Sequence, residues 1–240
     1  MMRVTPATTM PTNRIEPDIV VYDMDGTLFR GDCGGAFITQ QIKGNFLRLL
    51  LAIVIAPIAF PMLHIPSLRK IGVSAFLWIA SVGIDEAAYS EILGQFINKY
   101  RIKPIDAVLS ECRKDIAEGR KVVIATGAGR EMTKAFMQRL DLLEHVHLVT
   151  SQSKRFFGGM ISAVQCNGET KLEELIKHGH PPPYLRVYSD SAMDLPILRS
   201  TNKAYLVNYR EKDRQFLSKL LDKNLHLIDS QAIALSDKAS

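Results

Sequence analysis

The stretch "IVVYDMDGTLFRGD", Ile19 to Asp32, sets the reading of everything around it. Ile19 to Asp23 reads as the first strand, an apolar, buried-looking run that ends in an acid. Two acids, Asp23 and Asp25, stand two residues apart. Strand side chains alternate with period two, so these carboxylates would face the same way if the strand continued. Like charges that close repel unless a cation, a shared proton or water relieves them. Gly26 then turns the chain. The segment is therefore a strand that delivers two acids to the edge of a sheet.

The composition limits what those acids serve. A chain of 240 residues that is 47% hydrophobic and 23% charged holds a packed core, as one domain with an insertion or two small domains. Its net charge of +5 favours anionic partners: phosphate compounds, acidic lipid headgroups or nucleic acid. No nucleic-acid motif is present and the aromatic residues do not interleave with a basic stripe, which sets nucleic acid aside. Cys33, Cys112 and Cys166 show neither a disulfide framework nor zinc spacing and fit a reducing compartment. Cys33 lies near the acids, but no histidine stands by it in sequence to activate it, so it reads as packing. Residues 1–17 are polar, lack an apolar signal core and read as a flexible tail. Residues 231–240 read as a C-terminal tail.

Along the chain, helical patterning begins near Phe37. "LLLAIVIAPIAFPMLHIPSL", Leu49 to Leu68, then runs without an Asp, Glu, Lys or Arg. Arg69 and Lys70 separate it from "IGVSAFLWIASVGI", Ile71 to Ile84. An amphipathic helix is expected from Asp85 to about Tyr100, and another from Pro104, with Gly119 as its stop. "KVVIAT" is a second buried strand ending at Thr126, "VHLVT" a third, and "RFFGGMISAVQ" a small hairpin. "ETKLEELIKHG" is a helix, "YLRVYSD" a fourth strand, "AMDLPILRS" opens a helix, "KAYLVN" is a fifth strand and "LHLID" a sixth. Strands alternating with helices imply an α/β fold with a Rossmann-like, doubly wound parallel sheet. Ligands bind such sheets at the carboxyl ends of the strands. Three strand ends carry polar groups: Asp23 with Asp25, Thr126, and Asp190 with Asp194.

These groups suggest a chemistry. Carboxylates without histidine or cysteine ligands suit a hard cation such as Mg2+, with Asp23, Asp25, Asp190 and Asp194 as candidate ligands. A carboxylate also serves as a nucleophile through an aspartyl-phosphate, while its neighbour protonates the leaving alcohol and then activates water. Thr126, the amides of the Gly127 loop and Lys171 would hold the transferring phosphoryl group. Simpler roles stand beside these. Asp25 suits a turn, Thr126 a helix cap, and Asp194 a first-turn helix charge. Lys171 suits a surface pair with Glu173 or Glu174.

"DMDGTLF", "ATG", "GETK" and "YSDSAMD" resemble, in order and spacing, the four motifs of the haloacid dehalogenase superfamily of phosphohydrolases. The resemblance covers about Val20 to Leu198 and implies that family's fold, with a mainly helical cap inserted after the first strand. It implies Asp23 as nucleophile and Asp25 as general acid/base, with Thr126 and Lys171 as catalytic partners. It further implies Mg2+ held by Asp23, Asp190, Asp194 and Asp25, the last also through its backbone carbonyl. The insertion resembles the phosphoserine phosphatase subgroup, in which an acid near Asp32 faces substrate; a plain turn role for Asp32 is equally open. The core is then 18–33 with 101–230, and the cap 34–100.

The cap is the oily part. A single crossing between the first and second motifs would separate Asp23 from Thr126, Lys171 and Asp190, so crossings must be even in number. Leu49 to Leu63 and Ile71 to Ile84 are each roughly 21–23 Å long as helices, short of a hydrocarbon core of about 30 Å. Pro57, Pro61 and Pro66 interrupt the first. The expectation is a cap lying on or dipping into one leaflet, with the catalytic part in the cytoplasm. A soluble cap with a buried or dimerising apolar face and a two-pass hairpin are the alternatives. "FLRLLLAIVIAPIAFPML", "SAFLWIASVG", "SQSKRFFGGMISAVQCNGETK" and "YSDSAMDLPIL" are similar to a bacterial branch of the family, the phosphatidylglycerophosphatase C type. That similarity implies phosphatidylglycerophosphate as substrate and the cytoplasmic face of the inner membrane as location. The alternatives are a soluble phosphatase for phosphoserine or another small phosphomonoester, and a membrane-binding scaffold without catalysis.

Overall fold

The computed structural model describes residues 17–229. The tail expected at 1–17 lies outside them except for its last residue, and the tail at 231–240 lies wholly outside. The strand β1 (Ile19–Tyr22) pairs in parallel with both β2 (Lys121–Gly129) and β5 (Arg186–Ser189), which makes it central. With β3 (His147–Phe156), β4 (Gly159–Val164), β6 (Ala204–Val207) and β7 (Leu225–Ile228), the sheet has the order β4-β3-β2-β1-β5-β6-β7. Only β4 runs antiparallel to its neighbour. The chain moves outward from β1 through β2 to β3 and returns across β1 to β5. The carboxyl ends of β1 and β5 thus flank the point where the connections part, which opens a crevice there.

Alternation along β1 divides the core. Val20 and Tyr22 pack on one face with Val122, Ile124 and Tyr188, and Val21 packs on the other with Val123 and Val187. The helices α5 (Asp106–Ala117) and α6 (Arg130–Arg139) cover the first face with Val108, Leu109, Met132 and Phe136. The second is covered by α7 (Gly168–Lys177), α8 (Leu195–Leu198) and α9 (Glu211–Leu221), which supply Leu175, Ile197, Leu198 and Leu217. Both faces are buried, as a parallel sheet requires. Tyr22, Tyr188, Tyr205 and His226 stack across β1, β5, β6 and β7 at centroid spacings of 4.4, 4.4 and 5.0 Å.

The insertion after β1 is helical. It comprises α1 (Cys33–Lys43), α2 (Phe46–Met62), α3 (Arg69–Ser81) and α4 (Glu86–Lys99). Asp32, Asn45 and Asp85 cap α1, α2 and α4 by accepting from the backbone N–H of Gly35, Arg48 and Ala88. Ile42, Ala52, Ile79 and Ala80 form a small core shared by α1, α2 and α3. Phe96 and Ile97 of α4 instead join the main core under the sheet.

Several boundaries differ from expectation. The first helix starts at Cys33 rather than near Phe37, because Asp32 caps it ahead of two glycines. Pro104 does not begin α5; it bridges to Phe29, and the helix starts at Asp106. The "VHLVT" strand and the first arm of the hairpin are one strand, β3. The second strand runs past Thr126 to Gly129 with a register shift between them. Pro57 and Pro61 do not stop α2, and both lie on its exposed side. No single helix among the described residues is long and apolar enough to cross a membrane.

Candidate active site

The register aligns the motif residues at one edge. Tyr22 pairs with Ile124 on one side and Tyr188 on the other, so Asp23 and Asp190 stand just beyond the carboxyl ends of β1 and β5, near Thr126, where the register of β2 begins to shift. Asp23 is anchored by its backbone N–H, which donates to Tyr188 O at 2.9 Å. The chain then turns at Gly26 with φ +76°, in a conformation that glycine adopts without strain. A Cβ there would collide with the Asp190 carboxyl, so Gly26 also permits that approach.

Lys171 comes from the first turn of α7 and is 2% exposed. Its ammonium donates to Asp23 Oδ1 at 2.9 Å and to Asp194 Oδ2 at 2.6 Å. Ser189 Oγ donates to the same Asp194 oxygen at 2.8 Å. Lys171 is therefore not the surface partner of Glu174, which pairs with Lys177 instead. Removing one member of such a buried set leaves an uncompensated charge, a loss of about 3–5 kcal/mol. Burial alone would depress the Lys171 ammonium, but Asp194 and Asp23 outweigh it and its pKa rises.

The acids are in surplus. Burial raises Asp23 to about 6 despite Lys171. Burial, then the neighbouring Asp23 and Asp194, raise Asp190 to about 8. Burial, then Asp32, raise Asp25 to about 7, although the Cys33 thiol and backbone N–H both donate to its carboxyl, at 3.3 and 3.1 Å. Raised carboxylates beside a single buried ammonium show a deficit of positive charge, which a divalent cation would fill. Among the described residues no three acidic, histidine or cysteine side chains enclose a cation by themselves. Mg2+ commonly takes one or two carboxylates and completes its shell with water and substrate phosphate, so the residues fit it. Asp23 and Asp190 are the side chains available. Lys171 engages one oxygen each of Asp23 and Asp194, Ser189 shares the Asp194 oxygen, and Cys33 engages the Asp25 carboxyl; Asp194 and the backbone carbonyl of Asp25 stay candidate ligands beside them.

Thr126 is fully buried, and its Oγ1 accepts from Ala128 N at 3.1 Å, bracing the irregular end of β2 that carries Gly127. A Cβ on Gly127 would touch the Gln165 side chain at 3.4 Å. Asp32 caps α1 with a 2.7 Å bond from Gly35 N and lies close enough to Asp25 to raise it. Three contacts were invisible in the sequence. Cys33 does more than pack, and burial followed by Asp25 pushes its thiol up, away from nucleophilic use. Ser189 was signalled only by its place before Asp190. Arg69 reaches from α3 to Met193, with Nη1 3.4 Å from Sδ and donating to Leu63 O at 2.8 Å; its buried Nε has no hydrogen-bond partner.

Residues 20–199 match the family model of haloacid dehalogenase-like hydrolases. The chain belongs to that family. As a haloacid dehalogenase-like hydrolase it shares its fold with several solved structures. A protein of unknown function from Bordetella pertussis Tohama I is 15% identical, with TM-score 0.66 over 89% of this chain and 99% of that one. A substrate-bound phosphoserine phosphatase is 14% identical, with TM-score 0.57 over 92% and 98%. A phosphoserine phosphohydrolase-like protein from Francisella tularensis is 14% identical, with TM-score 0.59 over 87% and 94%. These likenesses carry the expected α/β fold.

Proposed function

We propose that this hydrolase is a Mg2+-dependent phosphomonoesterase that works through a phospho-aspartate on Asp23 and acts on a lipid phosphate, phosphatidylglycerophosphate, at the cytoplasmic face of a membrane. The observation that carries the chemistry is Asp23 held by Lys171 beside Asp25, a carboxyl that titrates near 7. Asp23, about 6, is ionised at neutral pH and attacks phosphorus. Asp25 gives its proton to the departing alkoxide and then takes one from the attacking water; a pKa near the working pH suits both steps. Lys171, Thr126 and the Gly127 amide are the groups assigned to hold the growing phosphoryl charge. Bound at Asp23 and Asp190, Mg2+ would supply charge neutralisation for the phosphoryl oxygens. Arg69, whose guanidinium reaches Met193 through Nη1, is suited to a second anionic group on the substrate, such as a phosphodiester.

The lipid part rests on α2. Phe46, Leu47, Leu50, Ile53, Val54 and Ile58 are all more than half exposed, and they recur at helical spacing along one side. A monomeric soluble surface rarely leaves so continuous an apolar stripe uncovered. Phosphoserine and other small phosphomonoesters form the competing reading, favoured by the fold shared with phosphoserine phosphatases.

Phosphate release with Mg2+ from phosphatidylglycerophosphate in mixed micelles, compared with phosphoserine and a generic phosphomonoester, separates them. The lipid is expected to be preferred at least about tenfold in kcat/KM, with all activity lost in chelator. Preference for phosphoserine would overturn the lipid assignment and leave the aspartate chemistry intact.

A further inference from the structure

The β3–β4 hairpin has a use beyond closing the sheet edge. Its tip exposes Phe157 (82%) and Phe156 (49%), preceded by Lys154 and Arg155. The tip is held rather than loose. Trp78 of α3 donates its indole N–H to the carbonyls of Phe156 and Phe157 at 3.0 and 3.2 Å. Gly83 N donates to Gly158 O at 3.0 Å, and Arg155 to Ile84 O at 2.7 Å. A side chain at Gly159 would collide with the Trp78 ring. The same turn meets the start of α2, where Arg48 donates to Val82 O at 3.0 Å. Val82 and Gly83, adjacent in sequence, thus tie both Arg48 near the start of α2 and the hairpin tip to the turn after α3; Phe46 and Leu47 at that start are 77% and 73% exposed.

Charge follows the same boundary. Residues 33–84 and 145–168 contain no Asp or Glu. Together they contain Lys43, Arg48, Arg69, Lys70, Lys154 and Arg155, six cations that exceed the net charge of +5 for the whole chain. Exposed aromatic and aliphatic side chains with Lys154 and Arg155 next to them in the chain complement an anionic lipid surface. We propose that the Phe156–Phe157 tip is a second insertion point that, with the N-terminal end of α2, docks the protein on an anionic bilayer in one orientation. The inference rests on the membrane-surface reading above and adds the hairpin to it.

The test is sedimentation with vesicles of phosphatidylglycerol in phosphatidylcholine, using the full chain and the F156S/F157S variant. Losing two inserted aromatic rings is expected to weaken binding by about tenfold or more, while Mg2+-dependent hydrolysis of a small soluble phosphomonoester stays unchanged. Trp78, the sole tryptophan, reports on the unaltered protein. Brominated lipid should quench its fluorescence, because the indole is bonded to the tip. Equal binding by the variant, with Trp78 unquenched, would overturn the hairpin's role while α2 docking and the lipid reading stand. Wild-type protein that ignores vesicles but forms a dimer dissolved by F156S/F157S would replace the bilayer with a second copy. A lipid reading that fails alone shows as loss of substrate preference with vesicle binding and quenching intact.

Discussion

At the scale of single residues the site is a problem in charge. Asp23, Asp25 and Asp190 are raised to about 6, 7 and 8, above the 3.8 of an unperturbed aspartate, with burial the largest cause for each. Between those values the folded chain binds more protons than the unfolded one, so its stability falls as pH rises through that window. His180 acts the other way. Burial, then Lys121 and His147, hold it near 4, below its ordinary 6.5, so it costs stability as pH falls below that value. The carboxylate effect is therefore read above about pH 6.5. Metal-free protein should lose Tm between about pH 6.5 and pH 8, and Mg2+ should restore it at the upper end. A Tm that rises over this window in chelator would contradict the charge deficit. The motif acids, Thr126 and Lys171 were legible in the sequence because their order and spacing are. The bonds from Cys33 and Ser189, and the approach of Arg69 to Met193, were not, since each joins residues through the fold rather than through a pattern.

Elements were legible where period and caps agree, and misread where packing overrides local rules. Helix α4 was anticipated within a residue at each end, because Asp85 caps it and its amphipathic pattern is regular. The start of α5 was misplaced because Pro104 is tied to Phe29. The prolines of α2 suggested breaks that an exposed helix does not need. Glycines distinguish tight from open packing in these helices. A Cβ at Gly72 of α3 would stand 2.9 Å from Ala59 O and 3.0 Å from Leu63 Cδ2 of the α2 region, whereas at Gly94 of α4 it meets nothing within 4 Å. Gly72→Ala should destabilise by about 1–3 kcal/mol through overpacking. Gly94→Ala should stabilise by about 0.5–1 kcal/mol through helix propensity. Urea denaturation of the two variants measures both, and equal effects would mean that α2 and α3 are not packed as described.

For the whole molecule, the alternation of strands and helices foretold the parallel sheet and the edge on which the acids meet. The apolar insertion foretold an unusual surface but not its extent. The hairpin tip became part of that surface only once Trp78, Gly83 and Arg155 joined β3 and β4 to α3. The chain thus sets a buried anionic site, completed by Lys171, against a cationic and apolar exterior built from α2 and the hairpin. An enzyme that removes phosphate from an anchored amphiphile has use for both. The catalytic half of this account has one premise, that Asp23 takes the phosphoryl group. Acid quenching during turnover of a radiolabelled phosphomonoester with Mg2+, followed by hydroxylamine treatment and mass spectrometry, measures this directly. The account predicts a hydroxylamine-labile phosphate on the peptide containing Asp23, absent from D23N protein. Active wild-type enzyme with label on another residue, or label that survives unchanged in D23N, would contradict it.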